Sequence, residues 1–406
     1  MAPAFDLLGP NTPNPGDQHR RLATACQHLA APVAVLDLHA LSANAHALVQ
    51  RAGGKPVRIA SKSLRSTGVL TALLATPGYA GVLAFSLREA IMLVQTGVAQ
   101  DVVVAYPTTD RHALTQLLDS EHLLQAITVM IDHPEQLQFI RRLGTGVAAV
   151  RVCLDLDMSL RAGPLHIGTR RSPIHTVDHV TAAAEYITAT HMFRLVGLMG
   201  YEAQIAGVTD NNPLISAIKR ISNTELRARR RHLVRAAQRV LTSRGLPDLE
   251  FVNGGGTGSL ESTATDDAVT EVAAGSGIYG PHLFDHYDTF TPEPAAFFGL
   301  DVTRHPAPGF VTVQGGGWIA SGTPGADRLP LPVYPSGLHY TRTEGAGEVQ
   351  TPLHAAGSAV PDIGQRIWFR HAKAGELAEH VNHFHLVTQH RITATVTTYR
   401  GDGFVL

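Results

Sequence analysis

One lysine stands between two arginines where a short apolar run ends. Residues 57–66 read VRIASKSLRS, with Lys62 between Arg58 and Arg65. A lysine that leaves a strand into a pocket with cationic neighbours and little water shifts toward its neutral amine, which attacks a carbonyl group to form a Schiff base. Lys62 is therefore a candidate nucleophile. The two arginines are candidate neighbours of that amine or ligands of a phosphate or phenolate group; a surface cluster that only aids solubility is the alternative.

Two glycine-rich turns have the composition of an anion-binding site. In EFVNGGGTGS (250–259) four glycines surround Thr257, and AAGSGIYGP (273–281) is a second turn of glycine and serine. Glycine lets backbone N–H groups approach an anion closely, and Thr257 adds a hydroxyl group. No lysine follows the glycines, so the first turn is not a Walker P-loop. Each turn alone is more often only a tight turn, but both together with a reactive lysine indicate an aldehyde that carries a phosphate, a description that pyridoxal 5′-phosphate fits.

Short apolar or β-branched runs alternate with helical stretches between these residues. The runs interpreted as strands are VRIAS (57–61), GVLAFS (81–86), DVVVAY (101–106), AITVMI (126–131), AAVRVCLDL (148–156), RLVGLMG (194–200), LEFVNG (249–254) and TEVAAG (270–275). Eight strand-then-helix units in a row favour a closed parallel (β/α)8 barrel of the TIM type over an open doubly wound sheet. The working face of such a barrel lies at the C-terminal ends of the strands, where Lys62 and both glycine turns are found.

The chain is divided here into three parts. We predict an N-terminal lead (1–31), a barrel with a preceding strand–helix unit (32–289) and a C-terminal antiparallel β domain (290–406), where short strand-like runs alternate with Gly and Pro. The densest charge run, RARRRH (227–232), has helical spacing and is expected to be a solvated face. This is an α/β architecture in which the barrel supplies the site.

The composition points to a small-molecule partner. The chain has 406 residues, with 33 Lys and Arg against 34 Asp and Glu, so no global charge attracts nucleic acid or an anionic membrane. Cys26 and Cys153 form neither a disulfide framework nor a CxxC motif. The N-terminus lacks the pattern of an export signal, and no apolar run is long enough to span a membrane. A cytoplasmic protein is expected.

On these motifs the chain resembles the fold-type III pyridoxal-phosphate enzymes, the alanine-racemase barrel group, and within it the D-threonine aldolase and D-serine dehydratase branch. The segments that carry the resemblance are RIASKSLRS, LDLDMSLRAG (154–163), LVGLMGYEAQ (195–204), FVNGGGTGS and TEVAAGSGIYG. The resemblance implies that Lys62 carries the cofactor. The further cofactor contacts that it implies are Arg58, Arg161 near the ring oxygen, Tyr201, Gly255, Gly256, Thr257, Ser276, Gly277 and Tyr279. It also implies a homodimer in which the β domain packs across from a partner barrel.

One segment departs from that branch. The members of that branch resemble one another in a Pro-Asn-His-x-Asp/Cys segment that holds a divalent metal. A gapless alignment from GQRIWF (364–369) places Lys373 and Gly375 of this chain at the two metal positions. We interpret the ammonium group of Lys373 as a substitute for the metal that holds or protonates a substrate hydroxyl, with Glu376 or His371 beside it. A salt-bridged lysine of the β domain is the alternative. His383 and His385 form an HxH pair on one face of a strand, but chance pairs are easy to find among 22 histidines, so the metal requirement stays open.

These features predict a lyase that acts on a β-hydroxy-α-amino acid, most simply of D configuration. TEGAGEVQTPL (343–353) and FRHAKAGEL (369–377) are also similar to actinobacterial-type proteins labelled amino acid deaminase/aldolase. Retro-aldol cleavage and dehydration with deamination both fit. The alternatives are an amino acid racemase, which needs an acid/base on each face of the cofactor, a protein that holds the cofactor without turnover, and a cofactor-free barrel that binds a sugar phosphate.

Overall fold

The computed structural model describes residues 4–163, 165–207, 213–357 and 359–404. The strands are β1 (Val33–Asp37), β2 (Val57–Ala60), β3 (Tyr79–Ala84), β4 (Val102–Val104), β5 (Ile127–Ile131), β6 (Val150–Asp155), β7 (Leu160–Ala162), β8 (Leu165–Ile167), β9 (Phe193–Gly200), β10 (Phe251–Gly254), β11 (Glu271–Ala274), β12 (Ala296–Arg304), β13 (Phe310–Gln314), β14 (Leu331–Tyr334), β15 (Leu338–Tyr340), β16 (Gln350–Ala355), β17 (Arg366–Arg370), β18 (His383–Thr388) and β19 (Arg391–Thr397). The helices are α1 (Gln18–Cys26), α2 (Leu38–Arg51), α3 (Thr67–Leu74), α4 (Leu87–Gln95), α5 (Arg111–Leu118), α6 (Glu121–Ala126), α7 (Pro134–Leu143), α8 (Val177–Thr188), α9 (Ala203–Ala206), α10 (Pro213–Ser243), α11 (Leu260–Ala264) and α12 (Glu376–His380).

The eight predicted runs each form one strand of a closed barrel. The strands lie in the order β10, β11, β2, β3, β4, β5, β6 and β9, and the pairing of β11 with β2 is parallel like the others in the barrel. Apolar side chains from several strands fill the interior, among them Val103, Met130, Cys153 and Phe251. The prediction of a parallel barrel followed by a separate sheet is therefore confirmed.

Capping residues set where several of the barrel helices begin. Ser86 accepts a hydrogen bond from the backbone N–H of Glu89 at the start of α4, and Asp110 accepts one from Ala113 at the start of α5. Such caps satisfy N–H groups that have no partner within the helix. Each helix then buries an apolar face against the strands. Across the described ranges, no helix is long and apolar enough to cross a membrane.

The second sheet contains one strand that the sequence predicted to belong with the barrel. β1 pairs antiparallel with β12 and parallel with β18, and all five of its residues are buried. The strand–helix unit that begins at residue 32 therefore starts in the C-terminal sheet, and α2 leads the chain to the barrel. A strand followed by a helix has the same local pattern in either place, because strand pairing is decided by distant residues. The predicted lead also contains α1, whose Leu22 and Cys26 pack against Val35 and Trp368.

Candidate functional site

Lys62 is presented by a rigid turn at the carboxyl end of a barrel strand. It lies in a 3₁₀ turn, Ser61–Ser63, directly after β2, and its side chain is exposed while both serines are buried. Its Nζ atom lies 3.5 Å from the hydroxyl oxygen of Tyr106, which follows β4. The sequence analysis did not single out Tyr106, although it is the last residue of a predicted strand run. Lys62 thus lies at the carboxyl end of its strand, and its role as the amine of the site stays a prediction.

A buried carboxyl group supports this turn. Glu89 of α4 is fully buried; its Oε2 accepts from the Phe85 N–H at 2.7 Å and its Oε1 accepts from the Tyr399 hydroxyl at 2.7 Å. Burial raises the pKa of Glu89 to about 7, although hydrogen bonds from Ser61, Tyr399 and Phe85 offset part of that rise. Ser61, which precedes Lys62, and Tyr399, from the C-terminal part of the chain, thus both contact the carboxyl group of Glu89 on α4.

The two arginines that flank Lys62 do not face its amine. Arg58 points into the barrel, where it donates to Glu271 at 2.6 and 2.8 Å and to Asp101 at 2.9 Å. Glu271 begins β11 and Asp101 precedes β4, so this ion-pair group lies toward the amino ends of the strands, away from the end that carries Lys62. The prediction that Arg58 contacts the cofactor is therefore corrected: its guanidinium group is occupied by carboxylates. Arg65 forms an ion pair with Glu379.

The two glycine turns lie side by side. They follow β10 and β11, which are neighbours in the barrel. The hydroxyl oxygen of Thr257 accepts from the Ser276 hydroxyl at 3.1 Å and from the Gly277 N–H at 3.2 Å. The structure thus joins the two sequence motifs into one cradle of hydroxyl and backbone N–H groups, a donor set that suits a phosphate group.

Side chains at the glycines of this cradle would be crowded or strained. A Cβ atom on Gly256 would lie 3.0 Å from the ring of Tyr201 and 3.1 Å from the Cβ atom of Ala206. A Cβ atom on Gly277 would lie 2.8 Å from Cγ2 of Thr257. Gly255 has a φ of +87°, a conformation that L side chains rarely adopt. The glycines therefore keep space open beside their backbone atoms.

A buried ion-pair network holds the first turn from behind. Glu202 accepts from the backbone N–H of Gly255 at 3.1 Å, and Arg230 of α10 donates to Glu202 at 3.2 Å and to Asp266 at 2.8 Å. All three charged side chains are almost fully buried. The run RARRRH was expected to form a solvated face, so Arg230 corrects that expectation: one member of the run turns inward and fixes the glycine turn.

A cavity of about 20 Å³ opens at the same end of the barrel. Tyr106, Asp155, Arg171 and Tyr201 are among the residues that line it. Burial raises the pKa of Tyr201, and the nearby charge of Glu202 adds to that effect. Burial also raises the pKa of Asp155 to about 7, with Asp132 as the next contribution. Tyr201, which the resemblance indicated, thus lies between the first glycine turn and Tyr106, the neighbour of Lys62.

Two other residues implied by the resemblance are placed differently. Arg161 lies on the β7–β8 hairpin and forms an ion pair with Asp157, and it is not among the residues that line this cavity. Tyr279 is fully buried, and its hydroxyl donates to the carbonyl oxygen of Leu64 at 2.9 Å. The hydroxyl of Tyr279 is thus used to anchor the backbone near Lys62, so the prediction of a cofactor contact from Tyr279 is corrected. Its ring packs edge-on against His371.

The loop after β17 brings Lys373 to the same place. A Cβ atom on Gly375 would collide with the carbonyl oxygen of Lys62, so the loop packs directly on the turn that carries the lysine. Nζ of Lys373 lies 3.3 Å from the Ser321 hydroxyl. Burial lowers the pKa of Lys373; Glu376 raises it, and the charge of Lys62 lowers it further. The two lysines are therefore within electrostatic reach of each other.

Three of the predicted β-domain residues share one small cavity. Lys373, His371 and Glu376 line it together with Phe298 and Trp318. Burial lowers the pKa of His371 to about 3, so the imidazole is neutral, and its Nδ1 lies 3.3 Å from the carbonyl oxygen of Ala296. Nε2 of His371 and Oε2 of Glu376 are buried and have no hydrogen-bond partner among the described residues. The cavity thus offers one cation and two buried polar atoms to a ligand.

The HxH pair lies on a strand of the second sheet. His383 and His385 share one face of β18, and Nδ1 of His385 lies 2.9 Å from the Thr395 hydroxyl. Within the parts of the chain that the structure describes, no group of three or more His, Cys, Asp or Glu side chains is arranged to hold a metal ion. The hydrogen bond to Thr395 gives His385 a structural contact.

The chain belongs to the family defined by the alanine racemase N-terminal domain. The model of that family matches residues 36–282, which cover the barrel and both glycine turns. This places the protein among the fold-type III pyridoxal-phosphate enzymes, as its motifs indicate. No curated protein matches the sequence significantly.

Solved structures agree with the fold over nearly the whole chain. D-threonine aldolase from Filomicrobium marinum superimposes with a TM-score of 0.74 at 20% identity and covers 93% of this chain and 96% of its own. D-threo-3-hydroxyaspartate dehydratase from Delftia sp. HT23 gives a TM-score of 0.69 at 20% identity, with 92% and 98% covered. An alanine racemase-like protein from Idiomarina loihiensis gives 0.68 at 15% identity, with 91% and 97% covered. The likeness extends beyond the barrel and includes the second sheet.

Proposed function

We propose that this protein is a pyridoxal-phosphate-dependent lyase that acts on a β-hydroxy-α-amino acid of D configuration. The reaction is retro-aldol cleavage to glycine and an aldehyde, or dehydration with release of ammonia. The observation that carries the proposal is the packing of the 371–376 loop on the turn of Lys62, which brings Lys373 within electrostatic reach of the exposed amine. The neighbours that carry the names D-threonine aldolase and D-threo-3-hydroxyaspartate dehydratase support this reaction class.

The residues of the barrel face fit the cofactor. Thr257, Ser276 and Gly277 form a cradle of donors for its phosphate, and Gly255 and Gly256 leave that cradle open. When bound, the cofactor supplies an aldehyde for the amine and an electron sink for the carbon next to it. The exposed Nζ of Lys62 would be the amine that holds the cofactor, and the hydroxyl oxygen of Tyr106 lies 3.5 Å from it.

Lys373 handles the proton of the substrate hydroxyl. In retro-aldol cleavage its neutral amine accepts that proton, the O–H electron pair forms the aldehyde C=O bond, and the Cα–Cβ bond breaks. In dehydration a base first removes the Cα proton, a role that the freed amine of Lys62 can fill; the C–H electron pair forms the Cα–Cβ double bond, and the ammonium group of Lys373 donates a proton to the departing hydroxyl, which leaves as water. Because burial and Lys62 lower the pKa of Lys373, both charge states are more accessible than for a surface lysine. The positive charge of the Lys373 ammonium group also replaces part of the role that a divalent cation plays in metal-assisted catalysis.

His371 and Glu376 complete the hydroxyl site. The neutral imidazole donates through Nδ1 to Ala296, which leaves Nε2 as a hydrogen-bond acceptor. Oε1 of Glu376 accepts from the backbone N–H of Ser321 at 3.1 Å, which fixes the carboxyl group and leaves Oε2 toward the cavity. The proximity of these β-domain residues to Lys62 favours catalysis over a protein that only holds the cofactor. A homodimer, on the resemblance alone, and a cytoplasmic location, on the composition of the sequence, remain part of the proposal.

The first experiment measures absorbance before and after borohydride treatment for the wild type and Lys62→Ala. We expect a yellow band that borohydride removes in the wild type, and no such band in Lys62→Ala. A colourless wild-type protein would refute the cofactor assignment and favour the sugar-phosphate barrel. Exchange of the Cα proton of an enantiopure amino acid in deuterated water, with loss of optical activity and no cleavage, would instead identify a racemase.

The second experiment assays D-threonine and D-serine with and without a chelator, for the wild type and Lys373→Gln. We expect activity that survives chelation and falls by about 100-fold or more in Lys373→Gln, because a positioned proton carrier contributes a factor of about 100 to 10,000. Arg342→Gln is the matched control, since Arg342 is an exposed basic residue of the same sheet region. Activity that the chelator abolishes would contradict the role given to Lys373 and point to a metal.

A further inference from the structure

At the mouth of the site, the guanidinium group of Arg171 makes no direct bond to the residues that the structure describes. Within the described ranges, Arg171 makes no hydrogen bond and no ion pair, and its side chain is exposed. Several other arginines of the chain form ion pairs: Arg58 with Glu271, Arg65 with Glu379, Arg161 with Asp157, Arg229 with Glu225 and Arg230 with Asp266. The charge of Arg171 lowers the pKa of the buried Asp155 carboxyl group in the same cavity, but no direct bond among the described residues ties the guanidinium group to a carboxylate.

The backbone around Arg171 is held firmly against the barrel. The hydroxyl of the next residue, Ser172, is buried and donates to the carbonyl oxygen of Asp155 at 2.6 Å. Two residues later the carbonyl oxygen of Ile174 accepts from the N–H of Asp157 at 2.8 Å. These bonds fix the segment at the carboxyl end of β6. The guanidinium group is thus unpaired but starts from an ordered part of the chain.

Arg171 lines the cavity that also contains the neighbour of Lys62. Tyr106, whose hydroxyl lies 3.5 Å from Nζ of Lys62, and Tyr201 line this cavity with it. The charge of Arg171 acts on both sides of the mouth, because it lowers the pKa of Tyr201 and also that of Lys373. Arg171 therefore faces the place where an amino acid that replaces Lys62 must lie.

The chemistry of an amino acid requires hydrogen-bond donors for its carboxylate at that place, and a cation is the strongest kind. Its carboxylate is attached to the same carbon as its amine, so an amine that takes the place of the Lys62 Nζ brings the carboxylate into the same mouth. A carboxylate that loses water needs charged or multiple hydrogen-bond donors. Arg58 and Arg161 are occupied by carboxylates, and Lys373 lies in the smaller cavity with His371 and Glu376.

We infer that Arg171 binds the α-carboxylate of the substrate and so sets the requirement for an α-amino acid rather than an amine. This inference rests on the proposed function and deepens it. The carboxylate then points toward β4, β6 and β9, while the hydroxyl-bearing carbon points toward Lys373. A planar guanidinium group offers two parallel N–H donors to the two carboxylate oxygens, which fixes the orientation of the substrate as well as its position.

The test compares ligands that differ only in the carboxylate. D-Alanine and D-alaninamide are titrated into cofactor-loaded protein, and binding is followed by the change in cofactor absorbance. For Arg171→Gln we expect the Kd of D-alanine to rise by about 10- to 100-fold, as for loss of a charged hydrogen bond, while the Kd of D-alaninamide stays within about twofold. Arg171→Lys should restore part of the loss, because it keeps the charge but not the two parallel donors.

Arg170→Gln is the matched control, since Arg170 is the adjacent exposed arginine and does not line the cavity. A second readout is labelling by phenylglyoxal, an arginine reagent, mapped by mass spectrometry: D-alanine should protect Arg171 and D-alaninamide should not. Equal loss for both ligands, or a carboxylate-specific loss in Lys373→Gln instead, would overturn the inference. The borohydride-sensitive band of Arg171→Gln reports separately on the proposed function, because that band depends on Lys62.

Discussion

The buried carboxyl group of Glu89 makes the stability of this protein depend on pH. Its pKa rises from 4.5 to about 7 in the folded chain, chiefly through burial. The folded chain therefore keeps the proton after the unfolded chain has released it. The resulting stabilisation is complete below about pH 4.5 and is lost as the pH rises to about 7. A shift of this size corresponds to on the order of 3 kcal/mol of unfolding free energy.

Glu89→Gln isolates this contribution, because the amide imitates the protonated carboxyl group and does not titrate. Its carbonyl oxygen can accept from the Phe85 N–H and its NH₂ group can donate to the Tyr399 hydroxyl, so both contacts are retained. Between pH 4.5 and pH 8, the wild type should lose about 3 kcal/mol more of its unfolding free energy than Glu89→Gln does. Asp155, whose pKa is also raised to about 7, acts in the same direction but is present in both proteins, so it cancels in the comparison.

The assay is urea unfolding followed by fluorescence at several pH values, with the slope of the free energy against urea compared between variants. Glu185→Gln is the control, since Glu185 is an exposed glutamate on α8. The reasoning is refuted if the wild type and Glu89→Gln lose stability in parallel across this range. A Glu89→Gln protein that is less stable by the same amount at every pH would show that the carboxyl group is needed for its contacts and not for its protonation.

Two further predictions concern the phosphate cradle and its support. Gly256→Ala should raise the Kd of pyridoxal 5′-phosphate for the cofactor-free protein by about tenfold in a fluorescence titration, because the new Cβ atom crowds Tyr201 and Ala206 and overpacking costs about 1–3 kcal/mol; an unchanged Kd would contradict the assignment of this turn. Arg230→Met should lower the unfolding free energy by about 3–5 kcal/mol, because it leaves Glu202 and Asp266 charged and buried without their partner. Arg231→Met, a change in the adjacent exposed arginine, should cost little in the same denaturant assay.

The barrel could be predicted because its signals are local. Each strand run is short, apolar and bounded by turn residues, and the order of strands and helices alone restricts the topology. The placement of β1 could not be predicted in the same way. Its pairing with β12 and β18 joins residues that are more than 250 positions apart, and nothing in PVAVLDLHAL distinguishes a barrel strand from a strand of the second sheet.

Arginines illustrate which part of the site was predictable. Their type and position are visible in the sequence, but their partners are not. Glu271, which occupies Arg58, lies 213 positions away, and Asp266, which occupies Arg230, lies in a different element from the charged run. Arg171 carries no motif at all, and what distinguishes it is its place in the lining of the cavity. Tyr106, in contrast, could have been predicted from the sequence, because it is the last residue of a strand run and such residues lie at the working face of the barrel.

The placement of Lys62 explains why the second sheet is needed for the site. The backbone next to this lysine is held by groups from outside its own strand: the Tyr279 hydroxyl donates to Leu64, and the Ser66 hydroxyl donates to Thr397 of β19. Gly375 packs on the Lys62 carbonyl oxygen, where any side chain would collide. A turn fixed from both domains holds the backbone of Lys62 in one position while its side chain stays exposed. The same packing brings in Lys373, so the contact that orders the turn of the proposed nucleophile also supplies the second reactive group that we propose.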